Sequence, residues 1–162
     1  MNMVSKHGPL IWLGLLFALI PTLVVSQDRP GLSVKVIRVV DGDTIDVCCV
    51  AGKRETIRYI GVNTPETRHP AKGVEPYGKE AAEANHKLVA GKAVHVEFDV
   101  QERDRNGRLL AYVYLGDGTF VNATLVEGGY AQVMTVPPNV KYQELFLKLQ
   151  QEARTASRGL WR

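Results

Sequence analysis

Between residues 32 and 62 apolar and polar side chains alternate in three short runs, the two-residue period of strands whose two faces meet different surroundings. Residues 32–40 form the first run, residues 44–50 the second and residues 55–62 the third. Asp41 and Gly42 separate the first pair, and Ala51, Gly52 and Lys53 the second, both of them tight-turn compositions. The pattern predicts an antiparallel meander that ends at Asn63. Thr64 and Pro65 break it, and a polar run rich in Pro and Gly continues to Gly73, longer than a minimal connection. Long loops beside a rigid sheet often carry function.

From Pro76 the period changes to that of a helix, through Ala81, Ala84 and Leu88, with Gly91 as a stop. Residues 92–99 alternate again, with Val94, Val96 and Phe98 on one face, and predict a fourth strand. After a charged turn at residues 101–107, residues 108–115 read as a fifth. Asn122 is placed to cap a short helix ending at Glu127, before Gly128 and Gly129. Residues 141–157 predict a longer amphipathic helix with Tyr142, Leu145, Phe146 and Leu149 at helical spacing, and Trp161 is expected to pack back near the end. Five strands, one helix between the third and fourth and two after the fifth, fit a mainly β protein with α: a five-stranded Greek-key barrel of OB-fold type with three helices. Fold alone does not assign function.

The first 26 residues change the picture. They contain no acidic residue, carry Lys6 and His7, and then run apolar from Pro9 to Ile20, ending in Val24, Val25 and Ser26. That is the build of a secretory signal peptide, with cleavage expected after Ser26. The competing reading is an uncleaved anchor, but residues 10–25 fall short of the roughly 20 apolar residues that span a bilayer, and Pro21 interrupts them. The predicted organisation is therefore a signal at residues 1–26, a short linker at 27–31 and one domain at 32–162, exported to the periplasm or the medium. Cleavage leaves 19 basic against 17 acidic residues, a formal charge of +2 that does not by itself announce a nucleic-acid binder. A local positive face from Lys53, Arg54, Arg58, Arg103, Arg105 and Arg108 remains open. The two cysteines, Cys48 and Cys49, are adjacent in a predicted strand, where neighbours point to opposite faces, so buried thiols are expected rather than a disulfide framework. Nothing in the Cys and His spacing suggests zinc.

Two turns and two arginines carry the candidate chemistry. Asp41, Gly42, Asp43 and Thr44 make an ordinary hairpin turn when taken alone, and Asn63, Thr64, Pro65 and Glu66 an ordinary strand exit. In a three-stranded meander, however, that exit lies near the hairpin end of the first two strands. Asp43, Asn63 and Thr64 would then reach one hard cation with carboxylate, amide and backbone oxygens. Arg58 and Arg108 offer planar guanidinium forks to the charge that builds on phosphorus when a phosphodiester is attacked. Glu66 is the candidate general base or water-orienting group. His69, His86 and His95 lie in no catalytic pattern and are expected to be surface or structural.

These same residues resemble a known family. Residues 41–44, 58–66, 67–78 and 104–112 match, in order, the thermonucleases of the staphylococcal (micrococcal) nuclease family, and the resemblance extends over residues 32–161. It implies an OB-type barrel with three helices, a monomer without a stable protein partner, and calcium-dependent cleavage of DNA and RNA leaving 3′-phosphate ends. By the resemblance Arg58, Glu66 and Arg108 fall on catalytic positions, Asp43, Asn63 and Thr64 on metal-ligand positions, and Lys72 and Arg105 on basic positions near substrate phosphates. Asn63 stands where the family's type enzyme has an aspartate, which implies weaker calcium binding or a shifted metal preference. Asn106, Thr135 and Pro137 stand where that enzyme has tyrosines flanking the nucleotide, which implies poor binding of small nucleotides. The alternative is a non-catalytic OB module that binds single strands or a protein; the presence of Arg58, Glu66, Arg108 and Asp43 together speaks for the enzyme.

Overall fold

The computed structural model describes residues 32–67 and 75–162, and the predicted signal and linker, with Lys72 and His69, lie outside that range. Five strands close into a barrel: β1 (Leu32–Val39), β2 (Thr44–Val50), β3 (Lys53–Tyr59), β5 (Ala93–Glu97) and β6 (Leu109–Leu115). The order around it is β1-β2-β3-β6-β5, with β5 returning to β1. Every neighbouring pair is antiparallel except β3 and β6. Helices α1 (Gly78–Val89), α2 (Val121–Glu127) and α3 (Gln143–Thr155) complete the expected OB-type barrel with three helices. Inside it lie Val36, Ile45, Val47, Ile57, Val94 and Val96, all essentially without solvent contact, which is why the alternation was legible.

The predicted third strand is two strands. Ile60 turns the chain and Gly61 takes φ +79, so that β4 (Gly61–Asn63) leaves the barrel. It pairs instead with β7 (Gln132–Met134), a three-residue strand without a pattern of its own. A Cβ on Gly61 would sit 2.5 Å from the Phe146 ring, so the departure of β4 and the seating of α3 share one close contact.

Three further expectations are corrected. Arg108 precedes β6 instead of opening a strand, because it closes the turn that Asp104 organises. Asn122 does not cap α2: it lies in the first turn, fully buried, accepting the Val113 N–H (3.0 Å) and donating to the Ile60 carbonyl (2.9 Å). Cys48 is half-buried and disulfide-bonded, not a buried thiol. The strand alternation assumed for the cysteines fails there. Val47 pairs with Glu55 but Val50 with Lys53, so residues 48 and 49 together oppose residue 54 as a β-bulge. Trp161 packs back as expected, with the Arg154 guanidinium 4.2 Å above its ring.

Candidate active site

Asp43 sits at the bottom of the β1–β2 turn, only 4% exposed. Its N–H donates to Asp41 Oδ1 (3.0 Å), which fixes the turn, and its carbonyl accepts the Tyr59 N–H (2.9 Å). Its carboxylate faces inward and is heavily engaged. Oδ1 accepts the Thr44 hydroxyl (3.1 Å), while Oδ2 accepts the Thr64 N–H (2.7 Å) and pairs with Arg58 Nη1 (2.7 Å). Burial pushes this carboxyl up to about 7, against the downward pull of the Arg58 cation and the Thr64 N–H; nearby Asp41 adds to the rise.

Arg58 lies opposite Thr44 in the β2–β3 ladder and points along the outer face of the barrel towards β4. Besides Asp43, its Nη1 donates to the Val62 carbonyl (2.9 Å) and its Nη2 to Asn63 Oδ1 (2.9 Å). One planar fork therefore joins the hairpin turn to the strand exit. Gly42 completes the junction, since a Cβ there would meet the Thr64 hydroxyl at 2.6 Å. The structure thus brings Asp43, Arg58, Asn63 and Thr64 into one contact group. Tyr59 ties α1 to it: its hydroxyl donates to Asn85 Oδ1 (2.9 Å), whose Nδ2 donates to the Asp41 carbonyl (2.9 Å).

Glu66 follows two residues after Thr64 with its side chain exposed, and its carboxylate has no ion pair among the described residues. Arg108 is held by Asp104, whose Oδ2 takes its Nε at 2.7 Å and whose Oδ1 takes the N–H groups of Asn106 (2.8 Å) and Arg108 (3.0 Å). Burial works against the Asp104 charge, but these bonds outweigh it and hold the carboxyl below its usual range. Arg58, Arg105 and Arg108 line one open cavity of about 460 Å³. Of the predicted positive face, Arg103 is turned away into a two-pronged pair with Glu55 (2.8 and 3.0 Å).

The far wall of that cavity was not foreseen from sequence. Asn106 lines it, with Leu110, Met134 and Val136 as its apolar part, while Thr135 and Pro137 do not line it. Which residues after Ala131 face the cavity depends on β7 pairing with β4, and no local pattern announces that register.

The donor chemistry suits a hard cation: Asp43, Asn63 and Thr64 can each present an oxygen, and a buried carboxylate that resists ionisation is relieved by a nearby divalent charge. Asp43 Oδ2 and Asn63 Oδ1 both receive Arg58 in this structure, so a bound cation would share these oxygens with the guanidinium or displace it. Among the described residues no three acidic, His or Cys side chains converge, so a cation here would lean on neutral oxygens.

Comparison with known proteins assigns the chain to a family. Residues 56–162 match the family model described as staphylococcal nuclease homologue. The chain is 45% identical over 127 residues to a thermonuclease of Staphylococcus hyicus, covering 78% of this chain and 74% of that one. It is 43% identical over 136 residues to a thermonuclease of Staphylococcus intermedius, covering 84% and 80%. Endonuclease YncB of Bacillus subtilis (strain 168) is 44% identical over 138 residues, 84% of this chain and 64% of that protein. Barrel, matched region and relatives agree: the chain belongs to the staphylococcal nuclease family.

Proposed function

We propose that this chain is an exported, calcium-dependent endonuclease that hydrolyses DNA and RNA to products with 3′-phosphate ends. The observation that carries the reading is that Arg58, which joins Asp43 and Asn63 in one contact group with Thr64, also lines the cavity that Arg108 and Arg105 line. The thermonuclease and endonuclease relatives support the reaction class.

Arg58 and Arg108 bind the non-bridging oxygens of the scissile phosphate and gain strength as negative charge accumulates on them. Because Asp43 and Asp104 hold these forks beforehand, little reorganisation is left for the moment of reaction. Glu66 takes the proton of the attacking water; the oxygen bonds to phosphorus, the bond to the 5′ oxygen breaks, and that oxygen takes a proton from solvent water and leaves as a hydroxyl. Asp43, Asn63 and Thr64 would hold calcium, which when bound polarises the phosphate and helps to order water. Lys72 and Arg105 contact neighbouring phosphates. The apolar wall of Met134 and Val136 offers contact without aromatic stacking, a contribution worth roughly 1–3 kcal/mol per base, so mononucleotides bind poorly while polymer is cut.

The reading is tested with protein beginning at Gln27 and end-labelled oligonucleotides. Products should carry 3′-phosphate and 5′-hydroxyl groups. Glu66→Gln should lower turnover by roughly 10²–10⁴-fold and Arg108→Ala by roughly 10²–10³-fold, with unfolding transitions close to wild type. Binding without cleavage would mark a non-catalytic OB module, and equal losses of turnover and stability would remove these residues from the chemistry.

A further inference from the structure

Glu66 lies on irregular backbone between β4 and α1, yet its peptide is held on both sides by a single residue. Its N–H donates to Glu75 Oε2 (3.0 Å), and its carbonyl accepts the Glu75 N–H (2.9 Å). Glu75 in turn accepts the N–H of Gly78, the first residue of α1, at 3.0 Å. Gly78 lies flat against the same peptide: a Cβ there would meet the Glu66 carbonyl oxygen at 2.7 Å. Helix α1 is itself tied through Asn85 to Tyr59 and to the carbonyl of Asp41. A continuous run of hydrogen bonds and contacts thus connects the Glu66 peptide to the framework that holds Asp43.

We propose that Glu75 is a positioning residue for hydrolysis, its carboxylate and N–H clamping the Glu66 peptide so that the base is presented at a fixed height over the phosphate site. The proposal rests on the reading of Glu66 as the base. Glu66 has an exposed side chain on a segment with no ladder of its own, so its placement depends on where its peptide is anchored. Removing the Glu75 side chain frees the Glu66 N–H while leaving the Glu75 N–H bond, so the peptide can rock about one remaining anchor. Misplacement of a reacting group by about 1 Å costs on the order of 10²-fold in rate. In this role Glu75 touches neither substrate nor metal, so the loss belongs to kcat and not to substrate or metal affinity.

The test compares Glu75→Ala and Glu75→Gln in the full chain, singly and combined with Glu66→Gln, by steady-state cleavage of a single-stranded oligonucleotide, calcium titration and urea unfolding. Glu75→Ala should lower kcat by roughly 10–100-fold, with KM and the calcium dissociation constant within about threefold of wild type on the same reasoning. Glu75→Gln keeps an oxygen that accepts the same N–H and should recover most of the rate. In the Glu66→Gln background Glu75→Ala should cost nothing further, since a residue acting through Glu66 has nothing left to position. Should Glu75→Ala fail to fold, Glu75→Met, with a stem of similar length and no strong acceptor, replaces it. A wild-type kcat in Glu75→Ala, a full additive loss in the double variant, or a Glu75→Gln as slow as Glu75→Ala overturns the proposal. A fully active Glu66→Gln overturns the reading beneath it, a different and separable result.

Discussion

Asp43 couples the site to stability, and the sign of that coupling can be worked out. An unfolded chain releases this proton near its ordinary 3.8, whereas burial holds the folded carboxyl to about 7. Between those pH values the folded state carries more protons, so the stability of metal-free protein falls as pH rises; below about 4 and above about 7 the contribution is level. Three pH units at about 1.4 kcal/mol each put the fall at up to about 4 kcal/mol, with 2 a fair lower figure. Carboxyls held below their usual range, such as Asp104, act in the opposite sense and at lower pH, so the interval from pH 5 to 8 isolates Asp43. The assay is urea unfolding of chelator-treated protein across that interval, with Asp43→Asn as reference, since the amide cannot titrate. Only the two units from pH 5 to about 7 fall inside that interval, so the difference between the two should change by about 2–3 kcal/mol, wild type losing ground as pH rises. Saturating calcium should cancel the trend by binding the ionised form. Parallel curves from pH 5 to 8 would refute the reasoning.

Three other perturbations follow from the geometry. Asn63→Asp adds a charge beside Arg58 and Asp43, and should tighten calcium binding by roughly 10–100-fold in titration calorimetry on a Glu66→Gln background; unchanged or weaker binding would remove residue 63 from the metal site. Asn122→Ala strands the buried Val113 N–H and Ile60 carbonyl, each costing about 1–3 kcal/mol, so urea unfolding should register a loss of about 2–5 kcal/mol. Gly61→Ala places a Cβ against Phe146 at a left-handed φ and should cost at least about 2 kcal/mol; a melting temperature equal to wild type would contradict the packing described for β4 and α3.

Much of the barrel was legible because its strands are half-buried and alternate: Val34 and Val36, Ile45 and Val47, Val94 and Val96 each mark an inward face. What escaped depends on contacts distant in sequence. β7 exists because β4 pairs with it, and Gly61 separates β4 from β3 because Phe146 fills the space beside it. Asn122 has the composition of a helix cap, yet its amide is spent on two distant backbone groups. The bulge at Cys48 shifts the register without any break in apolar pattern. At the site, the contact of the two turns followed from a meander whose ends must meet, and the structure joins them through Arg58. The cavity wall of Met134 and Val136 did not follow, since a one-residue change of register moves every side chain to the other face.

The central claim is that oxygen ligands around Asp43 and the base Glu66 together cut a phosphodiester. Its most direct test is cleavage of single-stranded DNA and RNA by protein beginning at Gln27, with calcium, with magnesium and with a chelator, alongside Glu66→Gln. Cutting that needs calcium, stops with chelator and is lost on substitution is the expected result. Cutting that persists in chelator, or in Glu66→Gln at the wild-type rate, would contradict it.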